Sequence, residues 1–264
     1  MPLVFAAITP HPPILIPDIG KDNIKKIQTT KSALEKMEED LYVAKPDTIL
    51  IISPHGRILP DAFSINTNPV YTVDLREFGD LTTQTQYQSD MTMIARISNE
   101  AKLKEIPLAL YTDQALDYGS AVPLHYLTKH LPEVKIIPLS YSLLEPKQHL
   151  NFGYLLKEEI MSTNRRVAVI ASGDLSHALT SDAPAGFSPE GKKFDETLIE
   201  NLSSHNTTAL LNLEPQICES AAECGRRSFL ILLGILQRVN YKLKILSYEG
   251  PLGVGYLVAE FVLE

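Results

Sequence analysis

The chain has 264 residues, 44% of them hydrophobic and 21% charged, a balance that supports one sizeable buried core in an ordinary globular protein. A net charge of −8 and a pI near 5.4 argue against nucleic acid as the main partner, since no run of Lys and Arg offers the basic stripe that phosphates require. Two cysteines form no disulfide framework, and the apolar N-terminal stretch is too short to span a membrane and lacks a signal peptide's basic flank, so a cytoplasmic setting is expected.

Residues 3–8 read as a buried strand. Residues 23–43 carry Ile24, Ile27, Leu34 and Leu41 at helical spacing among many charges, the mark of an amphipathic helix. The run TILIIS at 48–53 is a second buried strand, followed by a less regular stretch with a strand at 62–66. A helix is expected at 90–104, a strand at 106–111 and a short helix at 121–130. Then come a strand at 134–141, a helix at 147–161 and the continuous apolar strand VAVIAS at 167–172. Segments 190–202 and 226–239 read as helices. The second is apolar all round from Phe229 to Leu233 and belongs deep in the core. Strands at 242–248 and 254–262 close the chain, with the glycine-rich stretch from Gly250 to Gly255 as a hairpin connection. This alternation predicts an α/β fold, a three-layer sandwich whose mostly parallel or mixed central sheet is covered by helices on both faces. No repeat or long linker divides the chain, so one domain over 1–264 is expected.

Three of the seven histidines share a position. His11 follows the first strand by way of Thr9-Pro10, His55 follows the second by way of Pro54, and His177 follows VAVIAS by way of Gly173-Asp174-Leu175-Ser176. Ligands of open α/β sheets bind outside the carboxyl ends of the strands, where all three imidazoles would meet if those strands run parallel and adjacent. Pro10, Pro12, Pro13 and Pro54 stiffen the flanks, which suits the small positional tolerance of a metal ligand. His130, His149 and His205 read as surface residues, whereas His125 is ambiguous. There is no zinc-ribbon spacing, HExxH helix, EF-hand, P-loop, dinucleotide-binding glycine fingerprint or G-x-S-x-G elbow.

At this point the segments Thr9-Pro10-His11-Pro12-Pro13, Ser53-Pro54-His55-Gly56 and Ser172-Gly173-Asp174-Leu175-Ser176-His177 resemble, in order, motifs of the catalytic subunit of class III extradiol ring-cleaving dioxygenases, the LigB-like superfamily. Asp117-Tyr118-Gly119-Ser120-Ala121-Val122-Pro123-Leu124 resembles that family's Asp-His-Gly-x-x-x-Pro-Leu stretch, and Glu223-Cys224-Gly225-Arg226 its last metal-ligand region. The resemblance implies a divalent metal, Fe(II) first, held by His11, His55 and a third ligand, with coordination positions left for a small aromatic substrate and O2. It implies that His177 stands for the acid/base histidine beside the metal, a role suited to an imidazole's ordinary pKa. Tyr118, where the family has histidine, and His125 are then expected to bind substrate. The third ligand stays open between Glu223, which completes a two-histidine, one-carboxylate triad, and Cys224, whose Cys-Gly-Arg setting resembles the Memo branch. Glu223 is slightly preferred; a Cys224 thiolate would favour zinc or copper.

Two functions follow from the resemblance. One is a dioxygenase acting on a catechol or aminophenol, and the other a Memo-like metal-binding protein without ring cleavage. The same branch implies an AMMECR-type or radical-SAM partner protein, and oligomer statistics add a homodimer.

Overall fold

The computed structural model describes residues 1–264. Its first half contains β1 (Leu3–Thr9), α1 (Pro17–Gly20), α2 (Gln28–Ala44), β2 (Thr48–Ser53), β3 (Phe63–Asn66), β4 (Val70–Val73), β5 (Gln86–Gln88), α3 (Met91–Leu103), β6 (Leu108–Tyr111), β7 (Ala115–Leu116) and α4 (Tyr118–Leu127). The second half contains β8 (Lys135–Ser140), α5 (Pro146–Met161), β9 (Val167–Ser172), α6 (Pro189–Ser203), α7 (Thr207–Leu211), α8 (Pro215–Ala221), α9 (Arg226–Ile235), β10 (Tyr241–Glu249) and β11 (Tyr256–Leu263).

Eight strands form one sheet in the order β10-β11-β1-β9-β2-β8-β3-β6. Its centre, β1-β9-β2-β8, is parallel, while β11, β10 and β3 join antiparallel, so the sheet is mixed. Strand residues alternate between the faces, and both faces are buried. In β2, Leu50 and Ile52 join a core built with α3, α5, α6 and α9; Ile49 and Ile51 join a second core built with α2 and α4. The three-layer α/β expectation therefore holds. Helix α9 lies deep as expected, with Phe229 to Leu233 all buried. It meets α5 closely, because a Cβ on Gly153 would stand 2.0 Å from the Ile231 carbonyl oxygen.

Several elements differ from the sequence reading. The helix read over 23–43 is split: Lys21–Ile27 winds as a 3-10 segment, and α2 begins after Ile27 leaves helical backbone (φ −117°, ψ 32°) while burying its side chain. Helix α4 starts at Tyr118 rather than at 121, because the Asp117 carboxylate caps it by accepting from the Ser120 N–H at 3.0 Å. The small sheet β5-β4-β7 went unread, its strands being too short to show a period. His149 is a correction: instead of lying at the surface it is fully buried, with Nε2 2.9 Å from the Ser142 carbonyl oxygen.

Candidate metal centre

Register explains why distant motifs meet. Thr9 pairs with Ser172, and Ile52 pairs with Ala171, so β1, β9 and β2 end level with one another. Two residues beyond these ends stand His11, Asp174 and His55. The equivalent of the two histidines on β9 is thus Asp174, with His177 a further three residues along. Asp174 is the residue that the sequence reading passed over, and its signal was this shared offset from the strand end.

Three ligand atoms converge. Nε2 of His11 lies 3.0 Å from Nε2 of His55 and 3.7 Å from Sγ of Cys224, and the three atoms all fall within 4.8 Å of one another. Two nitrogens each about 2.05 Å from one ion stand about 2.9 Å apart at a right angle and about 3.3 Å apart at a tetrahedral one, so the spacing fits a shared cation.

The surroundings prepare those atoms. Ser172 Oγ donates to the Gly119 carbonyl oxygen at 2.6 Å, which leaves it to accept from Nδ1–H of His11 at 2.9 Å. That bond fixes the tautomer and leaves a lone pair on the His11 Nε2. His11 is 2% exposed; burial, aided by the nearby His177, lowers its pKa to about 3, and burial with the neighbouring His11 and His177 lowers His55 to about 3. Both rings are therefore neutral donors at any ordinary pH. The Ser53 hydroxyl accepts from the His55 N–H at 3.1 Å and donates to the Asp117 carboxylate, tying the ligand loop to the N-terminus of α4. Tyr118 stacks on His55 with centroids 4.2 Å apart, and its hydroxyl lies 2.9 Å from Nε2 and 3.1 Å from Nδ1. One oxygen near both nitrogens lies along neither lone pair, so the His55 Nε2 stays available.

Asp174 organises the rest. Its Oδ1 accepts from the His11 N–H at 2.9 Å, its own N–H donates to Cys224 Sγ at 3.3 Å, and its Oδ2 lies 3.9 Å from Nε2 of both His11 and His177. Burial raises Asp174 to about 6, although His177 and the His11 N–H pull it down. Burial and the Asp174 charge push the Cys224 thiol well above its ordinary value. A cation would offset that cost, since ligation requires the thiolate. The Cys224 loop comes this close only because a Cβ on Gly173 would stand 2.2 Å from the Gly225 Cα.

Not every expected residue joins. Glu223 turns the other way: its Oε2 accepts from the Arg226 N–H at 2.7 Å, capping α9, and it lines a separate cavity of about 330 Å³ with Arg226 and Arg227. Of the two candidates for the third ligand, Cys224 lies among the converging atoms and Glu223 does not. Tyr118 opens α4 at the centre, and His125 lies about two turns further along, in a groove lined with Glu35, Glu38 and Lys129. A cavity of about 470 Å³ opens beside His55 and Tyr118, lined also by Arg57, Tyr111 and Asp117. His177 is 24% exposed, with its Nε2 towards Asp174 and a buried Nδ1 that has no partner. No helix is long and apolar enough to cross a membrane.

Comparison with known proteins bears on this arrangement. A protein of Clostridium acetobutylicum designated CA_C1420 is 33% identical over 258 residues, 94% of this chain and 55% of that protein, so the chain spans about half its length. The beta and alpha subunits of 2-aminophenol 1,6-dioxygenase from a Pseudomonas species are 22% and 25% identical, covering 99% of this chain and 94% and 99% of theirs. The crystal structure of the uncharacterized protein JW3007 from Escherichia coli K12 superposes with a TM-score of 0.70 at 16% identity, over 98% of this chain and 99% of that one, and shares its fold. The model of the catalytic LigB subunit of aromatic ring-opening dioxygenase matches residues 5–259, and the chain belongs to that family.

Proposed function

We propose that the chain, acting as one domain in the cytoplasm, is a metal-dependent dioxygenase that opens or oxidises a catechol or aminophenol ring with O2. The observation that carries this reading is the convergence of His11, His55 and Cys224 beside the cavity at Tyr118. Membership of the LigB family and likeness to aminophenol dioxygenase subunits support the chemistry. An Fe(II) ion held by the three residues would supply adjacent positions at which substrate and O2 meet. The protein's own part is positional and protonic. His177 accepts the proton of a substrate hydroxyl and later returns it, with Asp174 facing its Nε2. The Tyr118 side chain lines the cavity, and its hydroxyl donates to a substrate oxygen in place of the family's histidine.

The test is O2 uptake by anaerobically purified, Fe(II)-loaded protein offered catechol and 2-aminophenol. Uptake matched to a ring-opening product is expected, and His177→Ala should retain the metal while losing turnover. A His177→Ala protein that loses metal as completely as His11→Ala would overturn the role given to His177.

One observation favours a second reading. The third converging atom is a thiol sulfur, which selects softer metals than a carboxylate does. Copper or zinc bound through Cys224, with no O2 uptake on either compound, would point to metal binding without ring cleavage.

A further inference from the structure

Asp195, on α6, is fully buried and stands outside the centre described above, yet it grips the segment that carries His177. Its Oδ1 accepts from the Ser176 N–H at 2.8 Å, and its Oδ2 accepts from the Tyr248 hydroxyl at 2.7 Å. The close approach is built in from both sides: a Cβ on Gly255 would stand 2.1 Å from Asp195 Oδ2, and one on Gly191, a turn earlier on α6, would stand 2.5 Å from Ser176 Oγ. Backbone bonds complete the clamp. Leu175 N–H donates to the Gly255 carbonyl oxygen and Gly255 N–H to that of Ser176, each at 2.8 Å, while His177 N–H donates to that of Ala221 at 2.8 Å.

We infer that Asp195 is a positioning residue for His177, acting through the Ser176 peptide, with Tyr248 holding the carboxylate in its working rotamer. The inference rests on the proposed role of His177. A buried carboxylate costs desolvation that a well-packed apolar side chain would avoid, so stability alone does not account for it. Ser176 is tied to two separate helices: its Oγ donates to the Ala221 carbonyl oxygen of α8 at 3.1 Å, while its backbone N–H is held by Asp195 of α6. Loss of the Asp195 bond frees the peptide next to the acid/base residue while leaving Asp174, His11, His55 and Cys224 with all their bonds.

The experiment compares Asp195→Ala, Asp195→Asn and Tyr248→Phe with the wild type as metal-loaded chains, by amide hydrogen exchange and by turnover of whichever of catechol and 2-aminophenol the wild type accepts. Asp195→Ala should keep its metal content, speed exchange at the amides of Ser176 and His177 about tenfold and leave β1, β2 and β9 protected. It should lower kcat about tenfold or more while KM moves less than about threefold, because a misplaced proton acceptor harms the chemical step more than binding. Asp195→Asn should recover kcat to within about threefold, since the amide oxygen still accepts from Ser176. Tyr248→Phe should act in the same direction as Asp195→Ala, more weakly, and decides the matter if Asp195→Ala does not fold. Unchanged exchange at Ser176 and His177, or exchange raised equally across all the strands, would overturn the inference. A wild type that turns over neither catechol nor 2-aminophenol would instead contradict the proposed function, and the exchange result would still decide the role of Asp195.

Discussion

The groove between α2 and α4 is larger than the cavity beside His55, about 600 Å³ against about 470 Å³, and it carries His125 and His130 with Glu35, Glu38 and Glu39. By residue type it looks the better cation site. Its geometry says otherwise, because His130, 57% exposed, has already spent its Nδ1 on Glu38 at 2.8 Å, and no ligand set there converges. In the His11 centre each donor is buried or partly buried and is oriented by a neighbour that leaves its ligand atom free. What separates the two regions is preorganisation rather than the number of ligating groups.

Predictions that break or sharpen this contrast follow from the largest effect to the smallest. His11→Ala or His55→Ala should abolish metal binding, measured as metal content after gel filtration, because each removes one of three converging donors. Ser172→Ala leaves the ligands in place but removes the acceptor for Nδ1–H of His11; a fall in metal affinity of about 10–100-fold by competition titration is expected. Affinity that stays at the wild-type value would mean that the tautomer needs no help. The pH dependence should have a definite sign. Both histidines are neutral above about pH 4, whereas the Cys224 thiol, its pKa raised, must give up a proton on binding. Affinity should therefore rise by about tenfold for each pH unit between about 6 and 8, the slope of one released proton. A flat profile would remove the thiolate from the site. His130→Ala, in the outer groove, should leave metal content unchanged and shift stability by no more than about 0.5 kcal/mol.

Much of this arrangement was legible beforehand, and the parts that were not have physical reasons. Long apolar runs such as TILIIS and VAVIAS declare strands buried on both faces, and the motifs that follow them place His11 and His55 at one end of the sheet. Asp174 was passed over because nothing in a single chain states that β1, β9 and β2 end level; that comes from the register between Thr9 and Ser172. Glu223 and Cys224 could not be told apart in the sequence because these adjacent loop residues make different contacts. Glu223 turns to cap α9, and Cys224 turns inward beneath Asp174. His125 sits about two turns along α4 from Tyr118, a distance that sequence spacing alone does not relate to the centre. The burial of His149 depends on a carbonyl at Ser142 whose position is set by tertiary packing.

The central claim is that His11, His55 and Cys224, rather than Glu223, hold the ion. It is tested most directly by the metal content of wild-type, Cys224→Ala and Glu223→Ala chains purified anaerobically side by side. The account predicts that Glu223→Ala keeps its metal while losing about 1 kcal/mol of stability with its helix cap, and that Cys224→Ala loses the metal. Full metal in Cys224→Ala together with loss in Glu223→Ala would contradict it and restore the carboxylate triad.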